Sequence, residues 1–99
     1  MEKKIKHKAP MEYRIRYTVN DAAHTSTQYY NVFHSSEALE FLAHTWRKGH
    51  IHGGSLNILA VEEYNKYSLK WEDRLAFALE YASIPEMTVS EGGNAVFSE

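Results

Sequence analysis

The chain contains no cysteine, and that absence removes several chemistries at once. Disulfides, thiolate nucleophiles and cysteine-ligated zinc or iron–sulfur centres are excluded, and the composition suits a reducing, cytoplasmic setting. Long apolar runs are also missing. No stretch approaches the roughly 18 apolar residues of a membrane-spanning helix, and no apolar segment follows the basic N-terminus as it would in a secretory leader. Neither secretion nor membrane insertion is expected. The two prolines and five glycines are few, and they fall where an element ends or the chain turns: Pro10, Gly49, Gly53, Gly54, Pro85, Gly92 and Gly93. At 99 residues one domain is expected, able to bury roughly two thirds of the surface its unfolded chain exposes.

A net charge of −2 hides a gradient. Residues 1–16 carry +4, residues 17–48 carry −1 and residues 49–99 carry −5. Such asymmetry marks either a basic arm for nucleic acid, an acidic surface for a basic partner, or two solvated ends. Residues 1–10 are rich in lysine (Lys3, Lys4, Lys6 and Lys8) and aperiodic, so they read as a flexible basic arm that stops at Pro10. Residues 11–85 read as the folded domain and residues 86–99 as a tail or short hairpin.

The clearest signal is the alternation in residues 13–19. Tyr13, Ile15, Tyr17 and Val19 should face a core while Arg14, Arg16 and Thr18 face outward, because successive strand side chains point to opposite faces. A polar turn at residues 20–24 leads into a second β-rich stretch, residues 25–34, and the two should form a hairpin. Both faces of that second strand are partly apolar; the favoured register turns Tyr30 and Val32 inward and Tyr29 and Phe33 outward. Ser35-Ser36-Glu37 then supplies a capping hydroxyl and a first-turn acid. Leu39, Leu42, Ala43 and Trp46 recur at helical spacing, and Gly49 should close this helix after Arg47-Lys48. Residues 56–64 form a third strand whose unbroken run Ile58-Leu59-Ala60-Val61 suggests cover on both faces. A second helix is expected over residues 71–82, with Glu72 and Asp73 in its first turn and Ile84-Pro85 after its end. The tail offers Thr88-Val89 and Ala95-Val96-Phe97 around Gly92-Gly93, either as a hairpin or as frayed chain. The order β-β-α-β-α, extended by a C-terminal strand or hairpin if the tail is not frayed, predicts an α+β domain with two amphipathic helices on a mainly antiparallel sheet.

Motifs that would name a reaction are absent. His50 and His52 would lie on one side of an extended segment, but a zinc site needs further ligands, for which only His44, Glu62 and Glu63 offer themselves. Gly53-Gly54-Ser55 lacks both the spacing and the following helix of a phosphate-cradling loop. The adjacent carboxylates Glu62-Glu63 and Glu72-Asp73 diverge on a strand or helix, which does not suit an acid/base pair. No catalytic, cofactor-binding or metal-ligating residue is therefore assigned, and no cofactor.

Two binding readings remain. A nucleic-acid binder would use Lys3, Lys4, Lys6, Lys8, Arg14 and Arg16, although Tyr13 and Tyr17 turn away from the arginines and the chain is acidic overall. The favoured reading is a protein-binding module, because seven tyrosines and two tryptophans exceed what a two-layer core of this size needs. Arg14 and Arg16 with Tyr29 and Phe33 form one candidate surface. The acidic stretch from Glu62 to Asp73, with Tyr64 and Tyr67, forms another, and their opposite charges would also permit a homodimer. Small cofactor-free proteins of this composition include regulators, adaptors and inhibitors, some of them carried by phages and mobile elements.

Overall fold

The computed structural model describes residues 7–20, 23–49, 51 and 54–98. The expected hairpin opens it: β1 (Met11–Val19) pairs antiparallel with β2 (Ser26–Val32), every register pair in step from Met11↔Val32 to Tyr17↔Ser26. Alternation sorts the faces as expected. Tyr13, Ile15 and Tyr17 are buried and Val19 half-buried, while Arg16 is exposed and Arg14 half-buried on the opposite side. In β2, Val32 is buried and Tyr30 packs against the core, leaving Tyr29 and Phe33 exposed.

Helix α1 (Ser35–Arg47) buries Ala38, Leu39, Leu42, Ala43 and Trp46, the stripe its spacing predicts. Its cap differs from expectation. His34, not a serine, is the N-cap: its Nδ1 accepts from the Ser36 backbone N–H at 3.1 Å and lies 2.9 Å from Ser36 Oγ. An imidazole nitrogen satisfies an orphan first-turn donor as a hydroxyl would. At the other end Gly49 takes φ 77° just past the helix and donates to the Trp46 carbonyl at 3.0 Å, a conformation that favours glycine.

Strand β3 (Ser55–Asn65) is central, but only one of its faces is covered. Its apolar run has another cause. Arg16 opposes Ala60 whereas Tyr17 opposes Ile58, so Leu59 is an extra residue in a β-bulge. The bulge lets both Ile58 and Val61 point into the core, three positions apart, while Leu59 stays 51% exposed.

The first three residues of the helix expected over residues 71–82 are strand instead. Residues 65–69 make a turn in which Asn65 Oδ1 accepts from the Tyr67 and Ser68 N–H groups at 2.9 and 3.2 Å, with Leu69 at φ 60°. That turn folds β4 (Lys70–Asp73) back onto β3, and Trp71, Glu72 and Asp73 become strand residues. Helix α2 (Leu75–Tyr81) starts only afterwards, where Asp73 Oδ1 accepts from the Leu75 N–H at 3.0 Å. The tail is a hairpin. Strands β5 (Met87–Val89) and β6 (Ala95–Ser98) pair with each other, and β6 also pairs with β3.

The result is an α+β domain: a six-stranded antiparallel sheet, ordered β2-β1-β3-β6-β5 with β4 on β3, and two helices. Its core lies between the helices and one sheet face, where Phe97 packs against Trp46 with ring centroids 5.9 Å apart. No helix among the described residues is long and apolar enough to cross a membrane. Because Phe97 is fully buried, Phe97→Ala should cost about 3–5 kcal/mol in urea unfolding; a loss below about 1 kcal/mol would show that the C-terminal hairpin is not part of the core.

Candidate functional site

The uncovered sheet face gathers side chains from four strands. Arg14 stands opposite Tyr29 of β2 and opposite Glu62 of β3, while Glu62 opposes Asp73 and Tyr64 opposes Trp71 across the β3–β4 hairpin. Arg14 Nε donates to Glu62 Oε1 at 2.8 Å, and Arg16 Nη2 lies 3.4 Å from the same oxygen. The Arg14 guanidinium carbon sits 4.3 Å from the centre of the Trp71 ring. Trp71 in turn meets Tyr64 at 5.1 Å and Tyr29 at 6.1 Å between centroids. The indole thus reaches from β4 across two intervening strands to β2. Its cation–π contact with Arg14 is worth about 0.5–2 kcal/mol, depending on how dry it is, and together with Glu62 it fixes a long side chain that would otherwise sample many rotamers.

No protein-family model, curated protein or solved structure matches this chain. Four of the six residues expected at a protein interface, Arg14, Arg16, Tyr29 and Tyr64, do lie together on this face. Phe33 is exposed just beyond β2, beside the start of α1, where its N–H donates to Glu37 Oε1 at 3.0 Å. Tyr67 is 90% exposed in the β3–β4 turn, with Lys66 Nζ 5.8 Å from its ring. Neither joins the cluster. The centre of the cluster, Trp71, was hidden by its helical spacing to Leu75, Ala78 and Leu79. What would have revealed it is the hairpin chemistry of Asn65, which makes Tyr64 and Trp71 a cross-strand aromatic pair.

Arg14, Arg16 and Tyr29 of one expected surface and Glu62, Tyr64 and Asp73 of the other fall on one face, where Glu62 bonds to both arginines within the chain. Of the basic arm, Lys3, Lys4 and Lys6 lie outside the described residues, as do His50, His52 and Gly53. Lys8 is exposed. Next to it, His7 donates its N–H to the Phe33 carbonyl at 3.0 Å, and its Nε2 lies 2.7 Å from Glu63 Oε1. The end of the arm is therefore tied to the helix side of the sheet, away from the face that carries Arg14 and Arg16. Among the described residues no group of three or more His, Asp or Glu side chains is placed to hold a metal ion.

A second polar cluster, on the helix side, escaped sequence reasoning. Glu63 is buried next to a cavity of about 160 Å³ lined by His7, Tyr13, His34, Ser35, Arg74 and Phe77. One carboxylate oxygen meets His7 and the other accepts from Arg74 Nε at 2.9 Å, while the Tyr13 hydroxyl also bonds to this carboxylate. Arg74 also reaches Glu72 Oε1 at 3.1 Å and the Asp73 carbonyl at 2.9 Å. These groups satisfy one another, which is the arrangement a buried charge requires.

Burial, reinforced by the adjacent Glu63 carboxylate, pushes the Tyr13 phenol well above its ordinary value of 10.0. Burial likewise pushes Tyr30 up to about 12, against an opposing hydrogen bond with Thr45. A raised phenol contributes stability that is complete below the ordinary value, 10.0, and is lost as pH rises toward the folded one. In a titration followed at 295 nm, at least two of the seven tyrosines should ionise only as near-ultraviolet circular dichroism is lost above pH 10. Ionisation of all seven near pH 10 with the spectrum intact would contradict this.

Proposed function

We propose that this chain is a small, non-enzymatic, cytoplasmic protein-binding module that works through the uncovered sheet face, as a regulator, adaptor or inhibitor of a partner protein. The supporting observation is the Arg14 side chain held between Glu62 and the Trp71 ring, with Tyr29 and Tyr64 on either side of the indole. Trp, Tyr and Arg are the residue types that dominate interface energetics. Here they are ordered before any partner arrives, so less conformational entropy is lost on association.

The same face argues against a phosphate backbone as the ligand. Both arginines share a carboxylate, and Asp73 stands opposite Glu62 on the neighbouring strand. A partner that suits it carries an apolar side chain to cover the indole and tyrosines, with polar groups around it for the arginine and acid rim.

Affinity capture from host lysate should yield a stoichiometric protein partner that survives nuclease treatment and moderate salt. Trp71→Ala and Tyr29→Ala should each weaken that complex by about 10-fold to 100-fold, with far-ultraviolet circular dichroism unchanged. Arg14→Glu/Arg16→Glu should weaken it comparably. Equal capture by all three variants would remove this face as the interface, and a complex lost to nuclease or at about 200 mM salt would favour the nucleic-acid reading instead.

A further inference from the structure

Strand β2 ends the sheet, and nothing described pairs with its outer edge. The other sheet edges are blunted. Strand β4 has three charged residues in four and β5 is only three residues long, both common ways of discouraging further pairing. Strand β2, Ser-Thr-Gln-Tyr-Tyr-Asn-Val, has seven residues with no charge, proline or glycine. Its register with β1 is free of bulges, so alternate backbone N–H and C=O groups project outward in a regular row.

Each side of this edge carries an exposed aromatic ring among polar neighbours. On the open face Tyr29 is 58% exposed. On the helix side Phe41 is 53% exposed although it stacks on Tyr30, ring centroids 6.3 Å apart and planes 17° apart. That stack, with the Thr45 bond to Tyr30, shows that the Phe41 flank of α1 lies over β2. Along this flank Glu37 stands one turn before Phe41 and Lys48 two turns after it.

We infer that β2 is the self-association edge of this protein, pairing antiparallel with β2 of a second copy about a two-fold axis near Tyr29. The charge pattern selects the second copy. A two-fold axis perpendicular to the sheet sets the α1 helices antiparallel, so the Glu37 end of one meets the Lys48 end of the other and the two Phe41 rings come together between them. An isologous contact of this kind requires a self-complementary patch, and the α1 flank is one. The dimer has a continuous twelve-stranded sheet with both uncovered faces on the same side. Tyr29 belongs both to this edge and to the proposed partner-binding face, but the mass of the isolated chain is read with no partner present and so tests the edge alone.

Pairing centred on Tyr29 sets Thr27 opposite Asn31 of the second copy. Sedimentation of the full chain from about 1 to about 200 µM should show the mass rise from 11.5 kDa to twice that. Thr27→Lys/Asn31→Lys places like charges directly opposite across the dyad and should weaken dimerisation by about 10-fold or more. Thr27→Lys/Asn31→Glu places opposite charges there and should restore it. Phe41→Lys should weaken it too, while Thr88→Lys on β5 should leave it unchanged. A wild-type chain that stays monomeric throughout, or a dimer indifferent to the lysine pair, would overturn the inference.

Discussion

Leu59 sets the parity of the central strand, and most of the molecule's surface chemistry depends on it. A strand without the bulge would send Leu56, Ile58, Ala60, Glu62 and Tyr64 to one side. One extra residue exchanges the two carboxylates that follow. Glu63 turns in, where it meets Arg74, His7 and Tyr13, and Glu62 turns out, where it meets Arg14 and Arg16. Without the bulge Glu62 would be driven toward the helices, away from Arg14 and Arg16, and parting a buried carboxylate from its partners costs about 3–5 kcal/mol.

Once that parity is set, the two sheet faces take on different work. The helix side is covered, and Glu63, Arg74, His7 and Tyr13 there form a structural cluster joining the N-terminal arm, β1, β3 and the link between β4 and α2. The open side is ordered but uncovered. Its arginine, tryptophan and tyrosines are held by one another and not by a layer above them, as a preformed contact surface requires. The β2 edge adds a third kind of surface, defined by backbone groups instead of side chains.

The parts legible in the sequence are those in which one period persists over many residues. Residues 13–19 alternate without interruption, and α1 keeps its stripe for 13 residues, so local pattern and tertiary burial agree. Pattern failed where a single residue outweighs its neighbours. The apolar run at 58–61 has the composition of a doubly covered strand, and only its pairing with β1 shows the bulge. Trp71 shares helical spacing with α2, yet Asn65, six positions earlier, decides its fate by closing a hairpin with its side chain. Arg14, Arg16, Tyr29 and Tyr64 were accessible to sequence reasoning because each sits on a correctly assigned strand. The pairing of Arg14 with Glu62 and Trp71 was not, since it depends on both the bulge and the hairpin.

The placement of β6 carries a consequence for how the protein is made. This strand is the last of the six, yet in the sheet it lies inside, between β3 and β5, and brings Phe97 and Ala95 against helix residues formed much earlier. During synthesis, at about 5–20 residues per second, the β1–β2 hairpin and α1 emerge first and must wait for their final packing partners. Until residues 95–98 leave the ribosome, Trp46 lacks the Phe97 ring and residues 55–58 of β3 lack their partner on one side. The nascent chain therefore passes through an interval with an unsealed core, in which chaperones or a second nascent copy have access to surfaces that the finished molecule hides.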